Sequence, residues 1–318
     1  MCLVALAIDQ HRRFPLVIAA NRDEFFARPA ARLAWWSQEP GLPEVLSGRD
    51  LESGGTWLGL TAAGRLALLT NVRNPASNDP KAPSRGAIVP TWLRGDVAMD
   101  KFWMRTALSG YNGFNLIAAD FARGECFWAS NTHGLPVRLE RGVYGLSNGA
   151  LDTPWPKVTQ LKSRLQAAVE GSDSVDALAD RLFAALADRT LAADTELPAT
   201  GIPLELERYL SAAFIRTPDH RYGTRCSTLV ITERVNKRLV THVLERTFNP
   251  GPGLALLRRS TLRDWPPRYT EGLKAAAAEV EAVSESTVED GGGGSATPPV
   301  PVKAQRARGL LRPIKPRR

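Results

Sequence analysis

The sequence predicts an α+β fold of two mainly antiparallel sheets covered by helices, and three observations carry that expectation. The first half breaks into short apolar runs joined by tight polar turns. From Pro156 the apolar residues shift to helical spacing. Beyond Cys226 two further apolar runs return as a strand pair.

The elements follow in order. LVALAI (3–8) and PLVIAAN (15–21) are apolar throughout and joined by polar residues, a hairpin of strands buried on both faces. TWLGLT (56–61) and RLALLTN (65–71) flank Ala-Ala-Gly as a second hairpin, and GFNLIAAD (113–120) and ECFWAS (125–130) flank FARG as a third. GVYGLSN (142–148) adds another strand, while GAIVPTWLRGD and DKFWMRTALSG read as short helices. PKVTQLKSRLQAAVEG and SVDALADRLFAALAD repeat apolar residues at helical spacing and end at Gly171 and near Asp188. ADTELPATGIP is a loop, and STLVITE (227–233) with RLVTHVLER (238–246) forms the last hairpin around VNK. Residues 1–275 are expected to form a single domain. Residues 276–318, acidic first, then Gly-rich, then basic, are expected to form a disordered tail.

At 318 residues and 43% hydrophobic, the chain can bury a sizeable core. Its net charge of +8 is concentrated at the end, because residues 297–318 hold seven Lys and Arg and no acid. The remainder is nearly neutral, so no nucleic-acid partner is expected. Three cysteines form neither a CxxC pair nor a zinc spacing. That usage, with no signal-peptide pattern, points to a reducing, cytoplasmic setting. No apolar stretch approaches the roughly 20 residues of a membrane helix.

Cys2 is the first chemical candidate. Removal of Met1 is expected where the next side chain is small, and it would leave an α-amine with a pKa of about 7.7–8.0 beside a thiol of about 8.5. One residue would then supply nucleophile and general base, as in enzymes with an N-terminal Thr. Cys is equally a small residue suited to a buried strand. In AANRDEF, antiparallel pairing would bring Asn21, Arg22, Asp23 and Glu24 near the chain's start. A carboxylate there would hold the amine and an arginine would favour thiolate; the plain reading is a polar strand exit with an ion pair. Asn71 and Asn148 end apolar strands. A side-chain amide so placed can donate to a developing oxyanion, worth roughly 2.7–4 kcal/mol, although Asn also ends strands for turn reasons. Arg225, before a buried strand, is either a surface ion-pair member or a charge that orients the site. The four histidines are scattered, and no HExxH, CxxCH or P-loop is present, so no metal site and no required cofactor are expected.

Together, MC, LVIAANRDEFFARP, LSG with GGTWLGLT, GRLALLTN, YNGFNLIAAD, VYGLSN with TPWPK, and YGTR with STLVI resemble the NRDE family over about residues 2–248. Its eukaryotic members are called Transport and Golgi organisation protein 2. The resemblance implies the four-layer αββα sandwich of N-terminal-nucleophile (Ntn) hydrolases. It matches Cys2 to the nucleophile, Asp23 to the acid that orients the amine, Asn71 and Asn148 to oxyanion amides, and Arg225 to a late arginine. Asn21, Arg22 and Glu24 are assigned to substrate binding. The usual Arg-Asn-x-Asp pattern is altered here: residues 20–23 read Ala-Asn-Arg-Asp, with the arginine at Arg22. Two functions are implied. One is hydrolysis or acyl transfer on a linear amide or acyl group, with Cys2 readily alkylated near neutral pH. The other is binding and trafficking of haem or acyl-CoA without turnover.

Overall fold

Both faces of the first two apolar runs are buried, which makes them interior strands between two layers of cover. In the computed structural model, which describes residues 2–37, 39–249 and 255–267, they sit in a six-stranded sheet. Its order is Gly142–Leu146 (β10), Cys2–Ile8 (β1), Leu16–Phe25 (β2), Tyr222–Val235 (β11), Arg238–Thr247 (β12) and Leu256–Arg263 (β13). The second sheet has seven strands in chain order: Ala30–Trp36 (β3), Val45–Asp50 (β4), Leu58–Thr61 (β5), Arg65–Asn71 (β6), Phe114–Asp120 (β7), Glu125–Ser130 (β8) and Val137–Arg138 (β9). Every pairing is antiparallel.

Side-chain alternation assigns the layers. Leu3, Ala5 and Ala7 pack with Leu161, Leu165, Leu178 and Leu182 of helices Pro156–Glu170 (α3) and Val175–Leu186 (α4). Val4, Leu6 and Ile18 face Leu60, Leu66 and Ile117 of the other sheet. Behind that sheet, Ala67 and Leu116 meet Val89, Trp92, Phe102 and Trp103 of helices Ile88–Arg94 (α1) and Met99–Ala107 (α2). Three cores separate four layers, the αββα sandwich the resemblance implied.

The sequence reading differs from the structure at several elements. β2 does not stop at Asn21 but continues through NRDEF to Phe25, so the polar residues lie inside the strand. β11 begins at Tyr222 rather than Ser227. β3, β4, β9, β13 and the short helix Leu204–Tyr209 (α5) were not anticipated. β13 is mostly solvent-exposed and β9 has two residues, so neither carries an apolar signal. The β11–β12 turn is tighter than VNK suggested: Asn236 and Lys237 both have positive φ, as a two-residue hairpin turn requires. The expected tail lies outside the described residues. Among the described residues no helix is long and apolar enough to cross a membrane.

Candidate active site

Register places Cys2. It pairs with Arg22 of β2, and Arg22 pairs in turn with Cys226 of β11, so the three form a row across the sheet. Because β1 begins at Cys2, the next β2 residue, Asp23, lies just past the strand's first residue. It therefore stands beside the position an α-amine would take once Met1 is removed.

Alternation along NRDE sends its residues to two faces. Asn21 is turned toward the helices, where Nδ2 donates to the carbonyls of Leu186 (2.9 Å) and Ala213 (2.8 Å) and Oδ1 accepts from Ser227 (2.5 Å). These bonds hold the strand against the helical layer and β11, and Asn21 does not line the Cys2 cleft. Asp23 is buried; its Oδ1 accepts from Thr224 Oγ1 at 2.7 Å and its carbonyl accepts from Tyr222 Oη at 3.0 Å. Arg22 points between the sheets, donating to Asp50 Oδ2 at 2.8 Å and stacking its guanidinium 4.3 Å from the Trp57 ring centre. Glu24 returns to the cleft.

The cleft, about 300 Å³, is lined by Cys2, Arg22, Asp23, Glu24 and Asn71 together with the 78–86 loop. GGTW explains how that loop is seated. A Cβ on Gly55 would lie 1.9 Å from the Gly86 carbonyl oxygen, and Thr56 N–H donates to that same carbonyl at 3.2 Å. Only glycine permits this backbone-on-backbone approach.

Asn148 does not line the cleft. Its Nδ2 donates to the Asn71 carbonyl at 2.7 Å, while the neighbouring Ser147 Oγ donates to the Cys2 carbonyl at 2.9 Å. Ser147 and Asn148 thus tie the Cys2 strand to the Asn71 strand, one in each sheet. Arg225 is also outside the cleft. It is the extra residue of a β-bulge between Thr224 and Cys226, and its Nη1 donates to the carbonyls of Phe25 (2.7 Å) and Arg28 (2.8 Å). Those bonds hold the turn that follows β2 and presents Arg28, whose Nε donates to Asp50 at 2.6 Å, at the cleft wall.

Electrostatics revises the expected thiolate. Burial pushes the Cys2 thiol above its ordinary range, and the Asp23 carboxylate adds to the rise; Arg22 and the Asp23 N–H oppose it. A standing thiolate is therefore disfavoured, and attack would need a base that takes the proton as the bond forms. Asp23 is likewise raised by burial, with Lys157 and the Thr224 bond pulling it back down.

Lys157 was missed by sequence reasoning. It opens α3, is buried, and donates from Nζ to the Leu210 carbonyl at 2.7 Å. Burial lowers its pKa to about 8, partly offset by Asp23 and by Cys2. The available signal was TPWPK, a lysine in the first turn of a helix, where a cation opposes the helix dipole.

The sequence profile described as Transport and Golgi organisation 2 matches residues 1–250. The Bos taurus Transport and Golgi organization protein 2 homolog is 38% identical over 255 residues, covering 73% of this chain and 89% of that protein. The Homo sapiens homolog is 36% identical over 253 residues with the same coverage, and the Drosophila melanogaster protein 29% over 271, covering 78% and 92%. Among solved structures, a Caenorhabditis elegans N-acylethanolamine-hydrolyzing acid amidase ortholog aligns at 10% identity and TM-score 0.43, covering 72% of this chain and 92% of that one. The C2A mutant of a Clostridium perfringens conjugated bile acid hydrolase aligns at 9% and 0.41, covering 82% and 96%.

Proposed function

Taking as premise that the chain belongs to the Transport and Golgi organisation 2 family, we propose that it is a cofactor-free hydrolase or acyltransferase of linear amides or acyl groups with Cys2 as N-terminal nucleophile. The observation that carries this reading is the register. Cys2 sits opposite Arg22, buried Asp23 stands one position beyond, and Asn71 lines the same cleft.

In the reaction, Cys2 Sγ forms a bond to the carbonyl carbon while its proton passes to the α-amine. Asp23 keeps that ammonium in place. The Asn71 side chain donates to the oxyanion, and Asn148 acts through the Asn71 main chain. Collapse breaks the C–N bond, the amine leaves with the proton, and water or an acceptor nucleophile releases the acyl group and restores the thiol. The raised thiol fits this scheme, because the proton moves with the attack rather than before it.

A panel of linear amides and thioesters tests the proposal. Cleavage should fall at least a thousandfold in Cys2→Ala, and equal rates in the two proteins would overturn it. One observation favours a second reading: Asn148 donates to the Asn71 carbonyl and Arg225 to those of Phe25 and Arg28, outside the cleft, which suits a site that binds haem or an acyl thioester without turnover. That reading expects Cys2→Ala to retain acyl-CoA affinity or a Soret band on haem titration, with no cleavage by either protein.

A further inference from the structure

Beside the polar Cys2 cleft lies a second, larger cavity of about 840 Å³. Its wall is largely apolar, with Phe25, Leu206, Tyr209, Leu210, Pro218 and Tyr222. The two cavities adjoin, with Asn71 and Glu24 in the walls of both. Phe25 is 56% exposed and Leu206 37%, so apolar side chains stand in water at the groove's lip. Exposed apolar surface continuous with a cleft marks a place where a ligand replaces water.

The groove is a built feature. Leu206, Tyr209 and Leu210 share one side of α5 and its end at spacings of three and four. The same segment is anchored from below by buried Glu207, which is ion-paired with Arg73 and whose Oε1 accepts from Thr200 N–H at 3.0 Å. Arg73 lies two residues beyond Asn71, so one stretch of chain supplies the oxyanion-side amide and the anchor of the groove wall. Opposite, Phe25 and Tyr222 meet edge to face with ring centres 5.1 Å apart, and Tyr222 is fixed by its bond to the Asp23 carbonyl.

We infer that this groove is an acyl-chain subsite: the substrate is a linear amide whose long apolar acyl chain lies along Phe25, Leu206 and Tyr209, with its polar head in the Cys2 cleft. The inference rests on the Cys2 reading above for the position of the carbonyl, which meets Sγ with its oxygen toward Asn71. The head side mixes guanidiniums (Arg22, Arg28, Arg85) with carboxylates (Asp23, Glu24, Asp50) in a smaller space, which suits a compact polar head. The reaction needs no co-reactant but water.

The test separates binding from turnover. Aminocoumarin amides of butanoic, octanoic and dodecanoic acid are titrated by fluorescence anisotropy into the Cys2→Ala protein, and their hydrolysis is followed in the unsubstituted protein. Affinity should climb with chain length, by at most roughly fourfold per methylene. Leu206→Trp, which narrows the groove at a part-exposed position, should flatten that climb, weakening dodecanoyl binding far more than butanoyl binding. Phe25→Ser, at a site exposed enough to tolerate it, should weaken dodecanoyl binding about tenfold or more by the same per-methylene measure. Chain-length-dependent binding without hydrolysis would support the subsite and sink the hydrolase reading. Hydrolysis indifferent to chain length and to both groove substitutions would overturn the subsite and leave the hydrolase reading standing.

Discussion

Replacing Lys157 by Met isolates the electrostatic cost built into the site. The lysine's pKa falls from 10.5 to about 8 on folding, chiefly because burial penalises the charged form. Below pH 8 it is protonated in both folded and unfolded chains, and the depression represents roughly 3 kcal/mol of lost stability. Between pH 8 and 10.5 the unfolded chain binds the proton and the folded chain does not, so stability rises with pH by about 1.4 kcal/mol per unit. Above 10.5 this contribution is complete; it is lost as pH falls through about 8. Burial pushes the Cys2 thiol and the Tyr222 phenol up as well, so both add their own pH dependence and the informative quantity is the difference between the two proteins. Urea unfolding of both from pH 7 to 11 should show wild type gaining on Lys157→Met across that window. A difference that stays flat would refute the assignment of a buried, pKa-depressed lysine beside Asp23.

Other outcomes follow from the same contacts. Thr224→Val removes the donor to Asp23 Oδ1 and should destabilise by about 1–3 kcal/mol in denaturant titration, with a larger proportional loss of turnover than of substrate affinity. Asp50→Asn takes the charge partner from buried Arg22 and from Arg28, and should cost about 3–5 kcal/mol in unfolding measurements. Gly55→Ala would put the new methyl 1.9 Å from the Gly86 carbonyl oxygen and so force the two backbone segments apart; limited proteolysis should then cut the 78–86 loop faster than in wild type. Alkylation of Cys2 by iodoacetamide, followed by peptide mass spectrometry, should be slow at neutral pH and climb through pH 9, the reverse of what a ready thiolate would give.

Much of this was legible in the sequence because burial leaves a pattern. β1, β6, β7 and β8 are runs with few polar residues, and their limits match the apolar segments to within a residue or two. β2 was cut short because NRDE is polar, yet a strand between two other strands can hide polar side chains when each finds a partner. Asn21 meets Leu186, Ala213 and Ser227, Arg22 meets Asp50 and Trp57, and Asp23 meets Thr224. Those partners lie up to about two hundred positions away, beyond any local pattern. The same distance hid Ser147 and Lys157. Motif order singled out Cys2, Asp23 and Asn71, and the three line one cleft. It could not tell that Asn148 and Arg225 spend their donors on main-chain carbonyls, because that depends on where Asn71, Phe25 and Arg28 lie in three dimensions.

The central claim is that Cys2, freed of Met1, is the acylated nucleophile. Intact mass spectrometry of the purified protein, before and seconds after mixing with a dodecanoyl amide, addresses it directly. The account predicts a chain beginning at Cys2, a transient mass gain equal to one acyl group, and its absence in Cys2→Ala. A chain that retains Met1, or acylation unaffected by the Cys2→Ala substitution, would contradict it.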